Sequence, residues 1–233
     1  MDIVYPIKKT IKNEDLRYSL RSLCNIEHNK VFIIGELPDW VSEEVYYIPV
    51  QQNLDRYEAT TNNIKIACQC KELSNNFILM NDDFFIINKI TEADLNLNRG
   101  PLKDTVDFYH ENHSPLTRYD KLVENAMNML KLQGFNNPIS FELHAPMIIN
   151  KNNFLTILDK INNESLHCCK RSVYGNYFIK DSKTIKDVKV LSYISLNDIL
   201  QNNPNTISCS ESVWPKIKDF IHSKFPDKSK YEK

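Results

Sequence analysis

Two adjacent aspartates, Asp82 and Asp83, interrupt an apolar stretch that runs from residue 77 to residue 87 (FILMNDDFFII). Bare carboxylates are costly away from water, so acids between two apolar runs need a partner. Two carboxylates at a strand end can share a hard divalent cation, Mn²⁺ or Mg²⁺, which can in turn bind a diphosphate. The alternative is a β-turn that happens to use two aspartates. Because both flanks are apolar, we favour the metal site.

Basic side chains are the second requirement, because the chain has no glycine-rich phosphate-binding loop. Neither G-x-G-x-x-G nor G-x-x-x-x-G-K-[ST] occurs in it. The phosphates of a bound nucleotide would therefore be held by the metal together with arginine or lysine. The candidates are Arg17, Arg21, Lys65 and Arg171. For Arg17 and Arg21, which are four residues apart, a solvated helix face is the alternative.

The elements that must position these residues alternate between strand and helix over the first ninety residues. Apolar β-branched runs and helical periodicity predict, in chain order, a strand at 2–7, a helix at 12–25 capped by Asn13, strands at 30–35 and 43–50, and a helix at 56–73. Pro49 makes 43–50 an edge strand or a bend. This alternation predicts an α/β fold with helices on both faces of a sheet. Ligands of such sheets bind beyond the carboxyl ends of the strands, where Asp82 and Asp83 fall.

The second half of the chain has weaker signals. Residues 91–120 are polar without a clear period and predict a long loop or lid. The later predicted elements are a helix at 120–134 stopped by Gly134, a strand at 138–150 carrying His144, a helix at 151–162, a strand at 188–198 and a helix at 210–225 capped by Ser210. Residues 226–233 are charged, and we expect a frayed tail. No repeat or linker suggests a second domain.

Composition argues against several classes of protein. The chain has 233 residues and a formal net charge of -1, so strong nonspecific attraction to nucleic acid is not expected, although a local basic patch is compatible with that total. No stretch reaches the ~18–20 apolar residues of a membrane span, and the N-terminus is not that of a signal peptide. We therefore expect a cytoplasmic protein with reduced cysteines. Neither CQC (68–70) nor HCC (167–169) has the usual spacing of a zinc site.

Several motifs occur in the order found in the Stealth family of sugar-phosphate transferases, which includes bacterial capsule polymerases and the lysosomal-targeting GlcNAc-1-phosphotransferase. The segments that resemble its central block are NEDLRYSLRSL (13–23), KVFIIGELPDWV (30–41), TTNNIKIA (60–67) and LSNNFILMNDDFF (73–85). Those that resemble its other blocks are DIVYPIK (2–8, a reduced opening block), ELHAPMIINKNNF (142–154), KRSVYGNYF (170–178) and YISLND (193–198). The chain also resembles the compact glycosyltransferase-like proteins of bacteriophages and capsule loci.

This resemblance implies a single Rossmann-like domain of the GT-A type over residues 1–233, with a central, mostly parallel sheet and helices on both faces. Residues 1–90 would be the nucleotide-sugar and metal half, and residues 91–225 the acceptor-side and catalytic half. The expected cofactor is Mn²⁺ or Mg²⁺, bound by Asp82 and Asp83 with Asp198 as a further ligand.

The resemblance also implies roles for individual side chains. His144 would act as general base on an acceptor hydroxyl, since histidines titrate near neutral pH, or else be a packed strand histidine. Arg171 would clamp a phosphate with its planar guanidinium, and Asp83 would act in catalysis through the metal. The other expected substrate-binding residues are Asp2, Arg17, Arg21, Asn62, Asn63, Lys65, Asp82 and Asn197. Asn197 and Asp198 have a helix N-cap as their alternative role.

Two reactions stay open. A glycosyl transfer would move a sugar from a nucleotide sugar, with a UDP-sugar as the expected donor, to a hydroxyl of a glycan, a protein or a modified DNA base. A sugar-1-phosphate transfer would release a nucleoside monophosphate instead. The motifs favour the second reaction, and the short chain with its clipped opening block favours the first. A catalytically silent nucleotide-binding module is a third possibility. The expected location is the cytoplasm of a bacterial cell or a phage-infected host.

Overall fold

The computed structural model describes residues 1–8, 13–51, 56–163 and 169–233. The strands are β1 (Asp2–Ile7), β2 (Val31–Gly35), β3 (Val45–Pro49), β4 (Asn76–Leu79), β5 (Phe84–Ile86), β6 (Leu97–Asn98), β7 (Met147–Asn150), β8 (Lys183–Thr184), β9 (Lys189–Val190) and β10 (Thr206–Cys209). The helices are α1 (Glu14–Ser22), α2 (Arg56–Gln69), α3 (Leu102–Asn112), α4 (Arg118–Leu132), α5 (Lys151–Asn163), α6 (Lys170–Phe178), α7 (Leu196–Leu200) and α8 (Trp214–Lys224). Short 3₁₀ helices cover Leu23–Asn25 and Glu92–Leu95.

A five-stranded sheet forms the centre of the fold, in the order β3-β2-β1-β4-β7. The first four strands in this order are parallel, and β7 pairs antiparallel with β4 at the edge. The prediction of an α/β fold with a mostly parallel sheet is confirmed. The strand at 43–50 is an edge strand, as its proline suggested.

One face of this sheet packs against α1. Ile3, Tyr5 and Ile7 of β1 share a fully buried cluster with Leu16 and Leu20 of α1. Alternate side chains of a strand point to opposite faces, so the intervening residues of β1 and β2 face the other way. That second face is covered by α2, which contacts both strands. Right-handed crossover connections place α1 and α2 on opposite faces of the sheet. The connection from β1 to β2 crosses the sheet in one direction, and the connection from β3 to β4 crosses it in the opposite direction.

A second sheet joins distant parts of the chain, in the order β5-β10-β9. β10 pairs antiparallel with β5 and parallel with β9. Since β5 follows β4 after only four residues, the acidic turn lies directly between the two sheets. A small pair, β6 and β8, lies elsewhere in the fold.

The chain divides into two compact units. The first comprises residues 1–95, 144–151 and 188–233, and the second comprises residues 96–143 and 152–187. The first unit contains both sheets described above. The predicted split at residue 90 differs from this division, because the last part of the chain returns to the first unit.

Three stretches differ from their predicted structure. Residues 91–120 are not a long loop: they form a 3₁₀ helix, β6, all of α3 and the first residues of α4. Helix α3 buries Leu102 and Val106, whose helical spacing is difficult to recognise among the polar residues around them. The predicted strand at 138–150 is a strand only over Met147–Asn150. The predicted strand at 188–198 contains two strand residues and then the start of α7.

The helix ends also differ in part. Asn13 occupies the N-cap position of α1, as predicted, but it has a left-handed backbone conformation with φ of 45° and its side chain makes no capping hydrogen bond. Gly134, with φ of 89°, follows α4 as predicted, because glycine accepts this conformation without strain. α8 begins four residues after Ser210 and has no side-chain cap. None of the described helices is long and apolar enough to cross a membrane.

The C-terminal segment 226–233 is anchored by two buried residues near its end, so the expectation of a frayed tail is wrong, although most of its other residues are exposed. Tyr231 is 3% exposed and Glu232 is 9% exposed. The hydroxyl of Tyr231 lies 2.6 Å from Nε2 of His28. The backbone N–H of Lys233 donates to the carbonyl of Trp40. An aromatic ring and a buried ion pair, which we describe below, therefore anchor a segment whose charges alone suggested a solvated end.

Candidate active site

Asp82 and Asp83 lie where ligands bind in open α/β sheets. They follow the carboxyl end of β4, which pairs with β1. The other neighbour of β1 is β2, so the strand order reverses at β1 and leaves a crevice beyond the carboxyl ends of β1 and β4. The expectation that the two acids end a core strand at this edge is confirmed.

A third carboxylate, that of Asp15, belongs to the same group. Burial, together with the charges of Asp15 and Asp83, raises the pKa of Asp82 to about 8. Burial and the charge of Asp83 likewise raise the pKa of Asp15. These shifts indicate that the negative charges of the three carboxylates repel one another. We did not predict Asp15 as a site residue, because an acid in the first turn of a helix is common there for its favourable interaction with the helix dipole.

Hydrogen bonds from α1 to β5 explain how Asp15 reaches the acidic turn. The hydroxyl of Ser19 donates to the carbonyl of Phe84 at 2.6 Å, and the hydroxyl of Ser22 accepts from the N–H of Ile86 at 3.1 Å. The amide of Asn25 donates to the carbonyl of Ile86 at 2.7 Å. Helix α1 is therefore fixed along β5, and its first turn lies beside the turn that precedes β5.

Two side chains from the second sheet hold Asp83. The hydroxyl of Ser208 donates to Oδ2 of Asp83 at 3.0 Å, and Nζ of Lys189 lies 3.7 Å from the same oxygen. Ser208 is the neighbour of both Phe84 and Lys189 in the strand register. No local pattern marks this pair as part of the site, because both residues lie more than a hundred positions after the acids.

His144 lies at the same edge of the five-stranded sheet. It occupies a bend three residues before β7, and the antiparallel register pairs Met147, the first residue of β7, with Leu79, the last residue of β4. The residues before β7 therefore extend beyond the carboxyl end of β4, as the acidic turn does. The prediction that His144 lies on a strand is wrong, and its side chain is half-buried. A general-base role stays a prediction.

The donor set suits a hard divalent cation. Asp82, Asp83 and Asp15 offer carboxylate oxygens, which Mg²⁺ and Mn²⁺ prefer. Within the described ranges, no group of three or more His, Cys, Asp or Glu side chains is already arranged to hold a metal ion. Mg²⁺ sites that work on phosphates usually use one or two carboxylates with the substrate's own oxygens, and two aspartates meet that need. A divalent ion would also offset the crowding of the carboxylates.

Arg17 and Arg21 have a different partner from the one predicted. Nε and Nη2 of Arg21 each donate to one oxygen of Glu232 at 2.8 Å, and Nη1 donates to the carbonyls of Phe225 and Pro226. Arg17 lies 3.6 Å from Glu232 and stacks over the ring of Trp40. These contacts occupy the guanidinium of Arg21, and a substrate-binding role for Arg17 and Arg21 stays a prediction. Arg17 remains one-third exposed.

Asp2 lies at the wrong end of its strand for a substrate-binding role. It is the first residue of β1, and it is 2% exposed. Its carboxylate accepts hydrogen bonds from the N–H of Lys30 and from the N–H and hydroxyl of Ser74. A six-residue strand spans roughly 17 Å between its end residues, so Asp2 holds two turns together at the edge opposite to the acids. The expected contact with base or ribose is therefore not supported.

Asn62, Asn63 and Lys65 lie on α2 as expected, on the other face of the sheet from α1. Asn63 is buried and donates to the carbonyl of Ile34 at 3.1 Å, near the carboxyl end of β2. Asn62 and Lys65 are half-buried. Roles in nucleotide binding stay predictions for all three residues.

The remaining predicted residues are not brought to the acids by any described contact. Asp198 is exposed, and its carboxylate accepts from the N–H and hydroxyl of Ser195 in a capping box at the start of α7. These hydrogen bonds lower the pKa of Asp198. Asn197, beside it, is also exposed. The helix-cap alternative is what the structure shows, and a metal-binding role stays a prediction. Arg171 is the second residue of α6, in the second unit.

The cysteines that the structure describes are free thiols. His167 and Cys168 of the HCC segment lie outside the described residues. Cys209 is buried next to Ser208, and burial with the charges of Asp83 and Asp15 raises its pKa to about 12. It is therefore a protonated thiol at neutral pH.

Comparisons with known proteins find matches among solved structures alone. No protein-family model matches the chain, and no curated protein sequence matches it. The resemblance to the Stealth enzymes thus depends on the quoted motifs alone. Among the solved structures that match is galactosyltransferase LgtC in complex with donor and acceptor sugar analogues, with a TM-score of 0.38 and 11% sequence identity. The match covers 97% of this chain and 80% of that one.

Proposed function

We propose that the protein is a metal-dependent glycosyltransferase that moves a sugar from a nucleotide-sugar donor to an acceptor hydroxyl. The observation that carries this proposal is the place of Asp82 and Asp83: two adjacent carboxylates at the carboxyl end of β4, beside the strand where the sheet order reverses. This edge is where α/β sheets bind nucleotides.

The charges at this edge support divalent-cation binding. Burial and the charges of Asp15 and Asp83 raise the pKa of Asp82 to about 8, as expected for a buried carboxylate beside other acids. A bound Mn²⁺ or Mg²⁺ would supply positive charge there and would stabilise the negative charge that develops on a departing nucleotide phosphate. Asp82 and Asp83 would hold the ion, with Asp15 beside them.

The residues of this edge have defined parts in the transfer. The acceptor oxygen bonds to the anomeric carbon of the sugar, and the bond from that carbon to the diphosphate breaks, its electron pair leaving with the phosphate. The hydroxyl proton would pass to the imidazole of His144, the basic group in the bend before β7. Asn63 and Lys65, which lie on α2, are the residues that we propose for nucleotide binding.

A second candidate is sugar-1-phosphate transfer, which the motifs around Arg17 and Arg21 favour. In that reaction the bond within the diphosphate breaks, and a nucleoside monophosphate leaves. The reaction needs basic residues around the transferred phosphate. Because Arg21 is bound to Glu232, this candidate has less support in the structure than glycosyl transfer.

The test is a panel of UDP-, GDP- and CMP-sugars, each with Mn²⁺ or with EDTA. A donor that binds the folded state raises the melting temperature. We expect one donor to do so only with metal and to be turned over to free nucleotide, with nucleoside diphosphate indicating glycosyl transfer and monophosphate indicating phosphate transfer. Asp83→Asn should abolish turnover, whereas Asp219→Asn, the same change at an exposed site on α8, should not. If no donor of the panel binds in the presence of Mn²⁺, the two acids form a structural turn and the proposal fails.

A further inference from the structure

We infer that Lys189 is a phosphate-binding residue of the donor site, and that its partner changes from Asp83 to a donor phosphate when the metal-bound nucleotide arrives. This inference rests on the proposed function, whose site it extends. Neither its position in the chain nor any motif marked Lys189 as a site residue.

The geometry around Lys189 leaves its ammonium available. Its side chain is 19% exposed, and Nζ lies 3.7 Å from Oδ2 of Asp83, which is within ion-pair distance but beyond hydrogen-bond distance. In the part of the chain that the structure describes, no hydrogen bond from this ammonium occurs. An ammonium carries three donors, and to bury them largely unpaired is costly. The ammonium of Lys189 therefore has N–H groups that no described group of the protein accepts at hydrogen-bond distance.

Asp83 does not need Lys189 for its position. Ser208 already donates to Oδ2 of Asp83 at 3.0 Å, and the strand register fixes Ser208 between Phe84 and Lys189. A hydrogen bond at that distance orients a carboxylate more strictly than an ion pair at 3.7 Å. What Lys189 adds is positive charge next to the turn.

The charges at the turn explain why the partner would change. Without metal, the carboxylates of Asp15, Asp82 and Asp83 attract the ammonium. A divalent ion bound to the acids offsets their negative charge and at the same time brings the phosphates of the donor to the turn. The ammonium of Lys189 then lies beside a phosphate that carries unshared negative charge, and a flexible lysine can turn to it.

Titration calorimetry of the whole protein tests this inference, with UDP, GDP and CMP as probes in the presence of Mn²⁺. Lys189→Met keeps the length of the side chain and removes its charge. Ser208→Ala removes the other partner of the same oxygen, and Lys89→Met removes an exposed lysine of the same unit. Far-ultraviolet circular dichroism checks that each variant is folded, and Lys189→Arg provides a variant that keeps the charge.

We expect Lys189→Met to weaken binding of the nucleotide about 10- to 100-fold, the effect of one lost hydrogen bond between charged groups. Lys89→Met should change it less than about threefold, and Lys189→Arg should recover most of it. Ser208→Ala, which removes a contact that positions Asp83, should weaken binding less than Lys189→Met does. Binding of Mn²⁺ alone, measured by electron paramagnetic resonance, should be as tight or tighter in Lys189→Met, because a competing positive charge is gone.

Two results would overturn the inference, and they differ in what they mean. If wild type binds a nucleotide with Mn²⁺ and Lys189→Met binds it equally well, or loses no more than Ser208→Ala, Lys189 only positions Asp83, and the proposed function stands. If wild type binds none of the three nucleotides with Mn²⁺, the proposed function and this inference both fail.

Discussion

The guanidinium of Arg21 and the carboxylate of Glu232 form a bidentate ion pair, with both N–O distances at 2.8 Å. The Arg21 side chain is 9% exposed and that of Glu232 is 1% exposed. The hydrogen bonds that Arg21 donates to Glu232 raise the pKa of Arg21. This pair joins α1, whose first turn bears Asp15, to the last residues of the chain.

Removal of one partner of this pair should destabilise the protein strongly. Glu232→Ala leaves the buried guanidinium of Arg21 without its carboxylate, and we expect a loss of about 3 kcal/mol in the free energy of unfolding. Urea unfolding followed by fluorescence measures it. A cycle with Arg21→Ala and the double variant should give a coupling energy above about 1 kcal/mol. Additive effects would show that the two residues act separately.

The same ion pair predicts how the free energy of unfolding depends on pH. Hydrogen bonds from Arg21 and Ser229 hold the pKa of Glu232 below its usual value despite its burial. A lowered folded-state pKa stabilises the protein above the unfolded-state pKa, about 4.3 for a glutamate, and this stabilisation is lost as pH falls through the folded-state value. Wild type should therefore lose stability on acidification below about pH 4 more steeply than Glu232→Gln does. Parallel slopes of unfolding free energy against pH would contradict this expectation.

Crowding of the acids should make Asp82→Asn a stabilising change in metal-free protein. The raised pKa of Asp82 means that its protonated form favours the folded state; that contribution is complete below about pH 4 and is lost as pH rises toward 8. In EDTA at pH 7.5, we expect Asp82→Asn to raise the free energy of unfolding by about 1–2 kcal/mol. Donor turnover, measured with Mn²⁺, should disappear in the same variant. Melting temperatures measured from pH 5 to pH 8 should fall for wild type and stay nearly level for the variant. A variant that is less stable than wild type at pH 7.5 would show that the carboxylate is well compensated.

The general-base role of His144 predicts a selective loss of turnover. His144→Gln should lower kcat about 10²- to 10⁴-fold and leave KM for the donor within a few-fold, because the imidazole acts on the acceptor. His110→Gln, at an exposed histidine of α3, serves as the matched control. If kcat of His144→Gln stays near the wild-type value once its fold is verified, the histidine only packs against the bend before β7.

The sequence allowed the α/β fold and the acidic turn to be predicted, because these depend on local patterns. The strands of the central sheet are continuous apolar runs of β-branched residues, which buried parallel strands require, and the two aspartates stand out within one of them. Helix α3 was missed because its buried positions alternate with charged residues. The strand predicted to carry His144 is shorter than its apolar pattern, since only the residues from Met147 onward pair with β4.

The partners of the acids could not be predicted from local patterns. Asp15 looks like an ordinary first-turn acid, and Ser208 and Lys189 approach Asp83 only through the pairing of β5 with β10 and of β10 with β9. The partner of Arg21 could not be predicted for the same reason: Glu232 lies 211 positions away in a segment that looked solvated. Contacts between distant segments, rather than residue type, decide these roles.

The pairing of β5 with β10 also has a consequence for biogenesis. Ser208 lies 125 positions after Asp83, so a growing chain exposes the two aspartates long before their partners leave the ribosome. β1 to β4 can pair once β4, which follows α2, has emerged, but the acidic turn is completed only when nearly the whole chain has emerged. Nascent chains that stall before residue 188 would therefore display an acidic turn without its lysine and serine.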